Sequence, residues 1–209
     1  MKMKLTIPSI FLAALLAIGC SNKEDNLNIV PKPASVEMKS GMFEIQPGLE
    51  IISNNVFCAE YLKEYLMYAP GIDLNDASNE NGRGISSVIV PLENTDIWKE
   101  YGKKKNCILL SCDENFKLEN YTNDENEPSE AYSINVNRKN VTINAASQSG
   151  LYYGIQTLLQ MLPAEVYCKK AEEEATDNWT IPAAEIKDYP KYAWRGYMLD
   201  VSRQFFDID

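Results

Sequence analysis

Two runs that alternate apolar and polar residues, 131–136 and 141–146, predict a pair of antiparallel β-strands. The four polar residues between them make a connection of the length found in β-hairpins. After a polar cap region at 147–149, apolar side chains recur every three or four residues over 150–162, which predicts an amphipathic helix. We expect this helix to pack its apolar stripe onto the sheet that contains the hairpin.

A second helix and several further strands are predicted on the N-terminal side of the hairpin. Apolar and aromatic residues at three- and four-residue spacing predict a helix over 54–68, which Pro70 and Gly71 are expected to end. A Gln-Pro-Gly turn separates the first two of the remaining apolar runs, so we expect those two to form a second hairpin. These runs predict four strands, at 41–45, 49–53, 87–91 and 107–111.

The predicted elements indicate a layered α+β domain over residues 29–186. Strands in antiparallel pairs, two helices and the lack of regular βαβ alternation predict an antiparallel sheet with both helices on one face. A segment of this length is sufficient for one domain with a sizeable core.

The N-terminal segment predicts export. Lys2 and Lys4 precede an apolar run over 5–18, which is typical of a secretory signal and too short to span a bilayer comfortably. The following Ala-Ile-Gly-Cys resembles a bacterial lipobox, which implies removal of residues 1–19 and a lipid on Cys20. The alternative is an ordinary signal peptide with a cysteine near its cleavage site. Residues 20–28 then form a polar tether, and we expect an outer-membrane lipoprotein of the cell envelope, periplasmic or surface-exposed.

Charge and composition exclude several classes of function. The chain carries a formal net charge of −10, so it is a poor candidate for electrostatic binding of nucleic acid or anionic lipid, and the membrane link is expected to be the lipid alone. It contains no histidine, which excludes a histidine base, a Ser-His-Asp triad and the commonest metal ligand. We therefore predict no metal site and no cofactor.

The cysteines beyond Cys20 are expected to be buried free thiols, although an envelope location permits disulfides. If residues 106–112 form a strand, Cys107 and Cys112, five positions apart, face opposite sides of the sheet. They would then be poor partners for each other. The other two cysteines are Cys58 and Cys168.

Aromatic and polar side chains on the helix over 150–162 leave two interpretations open. Tyr152, Tyr153 and Gln156 lie beside the apolar stripe. Aromatic residues at helical spacing are most often part of the core or its flank, which is the interpretation we prefer. The alternative is that these side chains line a binding cleft.

The C-terminal segment, 181–206, departs from the preceding pattern. An extended, proline-punctuated connector leads into a short apolar strand predicted over 197–201, which carries Asp200 and is followed by Ser202 and Arg203. A carboxylate in an apolar strand is costly unless it is paired, and Arg203 is a plausible partner for Asp200.

This segment resembles the entry into the catalytic barrel of glycoside hydrolase family 20, the β-N-acetylhexosaminidases. In that family a connector of the form I-x-D-x-P-x-x-x-W-R-G leads into a strand that ends D-V-S-R, and both patterns are present here. Three upstream blocks also resemble the family's N-terminal accessory domain: IVPKP at 29–33, EAYSINV at 130–136 and GLYYGIQTLLQMLP at 150–163. The resemblance implies that residues 187–209 are a connector and the first strand of a truncated (β/α)8 barrel.

The resemblance also implies roles for two residues. Arg203 matches the family's substrate-binding arginine, which grips hydroxyls of the terminal sugar from the end of the first barrel strand. Asp200 matches an aspartate that we expect to support Arg203. Gln204 departs from the family, which usually has histidine there, and this puts the local hydrogen bonding in doubt.

The implied function is hydrolysis of terminal non-reducing N-acetylhexosamine residues from a glycan. In this family the substrate's own acetamido oxygen attacks the anomeric carbon, while an Asp-Glu pair on a later strand orients that group and protonates the leaving oxygen. Nothing in this chain aligns with the pair, so the chain alone is expected to be inactive. The alternative is a non-catalytic lipoprotein module with a saccharide-binding or structural role.

Overall fold

The computed structural model describes residues 27–68, 84–119, 121, 129–164, 179–192, 194–198 and 200. Within these residues the fold is α+β, as predicted. Its elements, in chain order, are β1 (Ser35–Ile45), β2 (Glu50–Ser53), α1 (Val56–Tyr68), β3 (Ser86–Ile89), α2 (Thr95–Tyr101), β4 (Cys107–Cys112), β5 (Tyr132–Val136), β6 (Asn140–Ala145), α3 (Gln148–Gln160) and β7 (Trp179–Asp188).

The strands form one mixed sheet in the order β1-β7-β5-β6-β4-β2-β3. The pairs β1–β7, β7–β5 and β5–β6 are antiparallel, whereas the pairs β6–β4, β4–β2 and β2–β3 are parallel. The predicted antiparallel sheet is therefore right for one half and wrong for the other. Parallel neighbours need a crossover connection, and α1 lies in the one between β2 and β3. α2 lies in the connection from β3 to β4, which are on either side of β2.

The predicted hairpin and the helix that follows it are confirmed. Strands β5 and β6 pair in register from Tyr132 opposite Ala145 to Val136 opposite Val141. Ser147 caps α3, because its side chain accepts a hydrogen bond from the backbone N–H of Gly150. The helix predicted over 54–68 is also confirmed as α1.

The second predicted hairpin is wrong, although both of its strands exist. β1 pairs with β7, while β2 lies between β4 and β3. Ile51 and Ile52 point to opposite faces of the sheet and are both fully buried, as expected of an interior strand. The turn between β1 and β2 is held by Asn106, whose Nδ2 donates to the Gln46 carbonyl oxygen at 3.1 Å.

The two faces of the sheet carry different layers. α1 and α3 pack on one face, against a core that includes Ile51 and Ile108. This agrees with the prediction of two helices on one face. α2, which we did not predict, covers part of the other face, where Trp98 packs near Ile52 and Leu109. α2 has seven residues and none of them is buried, so it presents no apolar stripe to recognise in the sequence.

The proline-containing stretch expected to be a connector is part of the sheet as far as Asp188. β7 lies between β1 and β5, so the connector begins only after this strand. Pro182 cannot donate to the ladder, and its place in an interior strand coincides with a register shift between Met38 and Met42 of β1. Among residues 194–198 and 200, no strand is formed, so the one predicted over 197–201 is not borne out at its described positions.

The cysteines that the structure describes are free thiols, as predicted. Cys58 and Cys107 are buried, and Cys112 is half-buried. Cys107 packs with the α2 side of the sheet and Cys112 with the α1 and α3 side, which confirms that they face opposite ways. Cys168 lies outside the described residues.

The buried thiols predict a loss of stability in alkaline solution. Burial raises the pKa of Cys58 from 9.0 to about 12 and that of Cys107 from 9.0 to about 11. Below pH 9 both thiols are protonated in the folded and unfolded chain, so their contribution is fully present. Between pH 9 and pH 11 the unfolded chain loses these protons and the folded chain keeps them. Stability should then fall by up to about 1.4 kcal/mol per pH unit for each thiol.

Urea denaturation across this pH range measures the effect. The Cys58→Ala variant removes one of the titrating groups and is expected to show a shallower decline than the unmodified chain. An identical decline in the variant would show that Cys58 does not carry the effect.

Candidate functional site

The connector that follows β7 is fastened to the domain through Arg195. Its Nη2 atom forms an ion pair with Oε2 of Glu130, and its Nη1 donates to the carbonyl oxygen of Tyr192 at 3.2 Å. The guanidinium also lies over the ring of Tyr153, 5.5 Å from the centroid. The hydrogen bond to Glu130 raises the pKa of Arg195, so the guanidinium stays positively charged. The contacts with Glu130 and Tyr153 thus hold the connector against the residue before β5 and against α3.

The beginning of the connector is fixed by a second network of hydrogen bonds. Oη of Tyr132 donates to Oδ2 of Asp188 at 3.0 Å and lies 2.5 Å from Oγ1 of Thr157. The other carboxylate oxygen of Asp188 accepts from the backbone N–H of Ala34 at 3.0 Å. Burial of the Tyr132 side chain raises its pKa, so its hydroxyl stays protonated as a donor. Asp188, the last residue of β7, therefore forms hydrogen bonds with two other parts of the chain.

A cleft of about 470 Å³ lies between α3 and the connector. Its walls include Tyr132 and Asp188, three residues before β1, and part of the connector: Ile29, Pro31, Lys32, Tyr189, Pro190, Lys191, Tyr192 and Arg195. The volume is within the roughly 300–1,000 Å³ typical of small-molecule sites. One helix wall consists of four side chains spaced as i, i+3, i+4 and i+7 on α3: Tyr153, Gln156, Thr157 and Gln160.

The structure separates the three α3 side chains for which the sequence left two interpretations. Tyr153 and Gln156 line the cleft, and Tyr152 does not. The ring of Tyr152 instead packs against that of Tyr61 of α1, with the centroids 5.1 Å apart. The flank interpretation thus fits Tyr152, and the cleft interpretation fits its two neighbours on the helix.

The site residues predicted from the sequence lie at the margin of what the structure describes. Asp200 is exposed. Arg203 and Cys20 lie outside the described residues. The functional contact that sequence reasoning missed is the one between Arg195 and Glu130. Both residues belong to blocks of the family resemblance, W-R-G and EAYSINV, but only the fold shows that they meet.

The described part of the chain contains no group of three or more histidine, cysteine or carboxylate side chains able to hold a metal ion. No helix within it is long and apolar enough to cross a membrane.

Removing the Arg195 side chain is expected to free the connector without unfolding the domain. Its ion pair is partly exposed, and pairs of this kind contribute only about 0–1 kcal/mol to global stability. We expect Arg195→Ala to leave the urea midpoint almost unchanged while backbone amides of 189–196 exchange hydrogen faster. Lys191→Ala, in the same connector, is the control and should not accelerate exchange. Equal exchange in wild type and Arg195→Ala would show that the clamp does not hold the connector.

The fold is an α+β domain to which the connector is bonded at Asp188 and Arg195. Residues 26–189 match the family model for domain 2 of glycosyl hydrolase family 20. This match covers most of the chain, which therefore belongs to glycoside hydrolase family 20.

Three known proteins illustrate the similarity. A β-hexosaminidase of Porphyromonas gingivalis is 42% identical over 80 residues, which is 38% of this chain and 10% of that protein. β-Hexosaminidase subunit A1 of Dictyostelium discoideum is 24% identical over 199 residues, which is 94% of this chain and 30% of that protein. The structure of a GH20 β-N-acetylhexosaminidase from Streptomyces coelicolor matches with a TM-score of 0.58 and 28% identity, covering 87% of this chain and 30% of that one. The chain thus spans under a third of each relative.

Proposed function

We propose that this chain is the N-terminal part of a β-N-acetylhexosaminidase, which hydrolyses terminal non-reducing N-acetylhexosamine residues. The observation that carries the proposal is the match of residues 26–189 to domain 2 of the family. The names of the similar proteins, β-hexosaminidase and β-N-acetylhexosaminidase, support this substrate class. In this proposal the described domain is an accessory domain that supports a catalytic barrel.

The contribution of this chain to catalysis would be positioning and substrate binding. Arg195 and Asp188 hold the connector to the domain at two points, both upstream of Asp200 and Arg203. Arg203 would then donate hydrogen bonds from its planar guanidinium to hydroxyls of the terminal sugar. Asp200 would support that guanidinium. The orienting aspartate and the acid of the substrate-assisted mechanism would come from another part of the protein.

We also propose that the protein is a lipoprotein of the cell envelope. The support is the N-terminal pattern of a basic start, an apolar run and Cys20, which would carry the lipid. Globomycin treatment of the producing cells, followed by mass measurement, tests this. Accumulation of the unprocessed precursor is expected, and normal processing in its presence would contradict it.

The enzymatic proposal is tested with p-nitrophenyl N-acetyl-β-glucosaminide and with the DNA beyond the codon for Asp209. The 209-residue chain is expected to release no p-nitrophenol, because nothing in it aligns with the family's Asp-Glu pair. The DNA is expected to continue in frame to a His-Gly-Gly-Asp-Glu-like block. A stop codon directly after Asp209 would favour the alternative, a non-catalytic module that binds saccharides or has a structural role.

A further inference from the structure

We infer that the cleft between α3 and the connector binds a neutral saccharide. The inference concerns the described domain itself and requires no residue of a catalytic barrel. Its extension to N-acetylhexosamine oligomers rests on the proposed function.

Two glutamines on α3 give the cleft a pre-positioned donor and acceptor. Nε2 of Gln156 donates to Oη of Tyr61 at 2.9 Å, and Oε1 of Gln160 accepts from the backbone N–H of Val30 at 2.8 Å. Each amide is thereby fixed at one of its two polar atoms. Among the described residues, Oε1 of Gln156 and Nε2 of Gln160 have no partner. The cleft therefore offers one acceptor and one donor, one helical turn apart, on a rigid element.

The remaining lining suits the apolar faces of a sugar ring. Pro31 and Pro190 contribute flat aliphatic rings, and Tyr153 and Tyr192 contribute aromatic ones that are 39% and 64% exposed. A pyranose has C–H groups on its faces and hydroxyls around its rim. Its faces therefore pack on such surfaces while its rim bonds to polar groups.

The charges around the cleft favour a neutral ligand over an anion. Glu130 is paired with Arg195, and both oxygens of Asp188 accept hydrogen bonds. The carboxylates and the guanidinium are thus already satisfied within the protein. Lys32 and Lys191 remain, and both are exposed, where a lone charge contributes little to binding. The side-chain amides are then the groups left to recognise hydroxyl or acetamido groups.

Titration of the ¹⁵N-labelled chain with N,N′-diacetylchitobiose tests the inference. Saturable amide shifts are expected at Tyr153, Gln156 and Tyr192, with cellobiose as the comparison sugar that lacks acetamido groups. No saturable shift with either sugar at millimolar concentration would overturn the inference, as would shifts confined to residues outside α3 and the connector. If cellobiose binds as tightly as diacetylchitobiose, the cleft binds saccharides, but the extension to N-acetylhexosamine oligomers is overturned.

Matched variants on α3 separate binding from folding. Gln156→Leu removes the free acceptor in a similar volume and is expected to weaken binding about tenfold. Gln148→Leu is the same change on the same helix, outside the cleft, and should alter the affinity by less than about twofold. Equal weakening by both variants would overturn the inference, whereas unchanged circular dichroism confirms that each is folded. Failure of the complete protein to hydrolyse N-acetylglucosaminides would reject the proposed function and leave these binding results unaffected.

Discussion

Replacing Trp179 with alanine is expected to lower the free energy of unfolding by about 3–5 kcal/mol. Trp179 begins β7 and is the largest fully buried side chain of the domain, at 0% exposure. It lies in the core beneath α1 and α3, so its removal leaves a cavity that the surrounding strands cannot fill. Small domains are stable by only about 5–15 kcal/mol, so the variant should lose a large part of its stability. Urea denaturation followed by circular dichroism measures this, with an unchanged slope and a lowered midpoint.

A tryptophan-to-phenylalanine change at the same position is the matched control. Nε1 of Trp179 is buried and has no hydrogen-bond partner among the described residues. Phe at this position keeps much of the apolar volume and removes the unsatisfied N–H group, so it should cost far less than alanine. Equal losses in Trp179→Phe and Trp179→Ala would show that ring packing is not what Trp179 contributes.

Replacing Arg203 with alanine in the complete gene product is expected to reduce kcat/KM for an N-acetyl-β-glucosaminide by about 100-fold. A hydrogen bond to a charged group contributes about 1.5–3 kcal/mol. Losing one bond at the upper end of this range, or two at its lower end, corresponds to a loss of about 100-fold in kcat/KM. Arg203→Lys keeps the charge but not the planar fork of donors, so it should recover only part of the activity.

Arg138→Ala provides the control for that variant. Arg138 is exposed in the turn of the β5–β6 hairpin, away from the connector, and its loss should leave kcat/KM unchanged. Full activity in Arg203→Ala would mean that the family's substrate-binding role does not transfer to Arg203. A matching loss in Arg138→Ala would instead indicate that both changes act through stability.

The parts of the fold that the sequence predicts well are those whose pairing is local. The β5–β6 hairpin and α3 are consecutive in the chain, so alternation, a short turn and a helical stripe determine them together. The pairing of β1 with β7 joins residues about as far apart as Val36 and Ile186. The periodicity within a strand does not indicate which distant strand pairs with it. The sequence therefore predicts β1 as part of a hairpin and β7 as part of a connector.

The parallel half of the sheet was missed for a related reason. β2 contains only Glu50–Ser53, too few residues to distinguish a half-buried strand from an interior one. α2 is short, exposed and begins after a polar loop, so the second helical crossover left no periodic signal. Without it the βαβ connection of β3 to β4 could not be recognised.

The candidate site divides in the same way. The sequence predicts Arg203 and Asp200 as site residues from a motif that is contiguous in the chain. The cleft depends on Gln156 and Gln160 of α3 meeting residues 29–32 and the connector, which are distant in sequence. The spacing of the glutamines is visible beforehand, but the contacts that fix one atom of each amide exist only in the folded domain.

We propose that this domain belongs to an enzyme that cleaves N-acetylhexosamine by substrate-assisted catalysis. The most direct measurement compares the complete gene product on p-nitrophenyl N-acetyl-β-glucosaminide and on p-nitrophenyl β-glucoside, which lacks the 2-acetamido group. We predict rapid release of p-nitrophenol from the first and none above background from the second. Equal turnover of the two substrates, or turnover of neither, would contradict the claim.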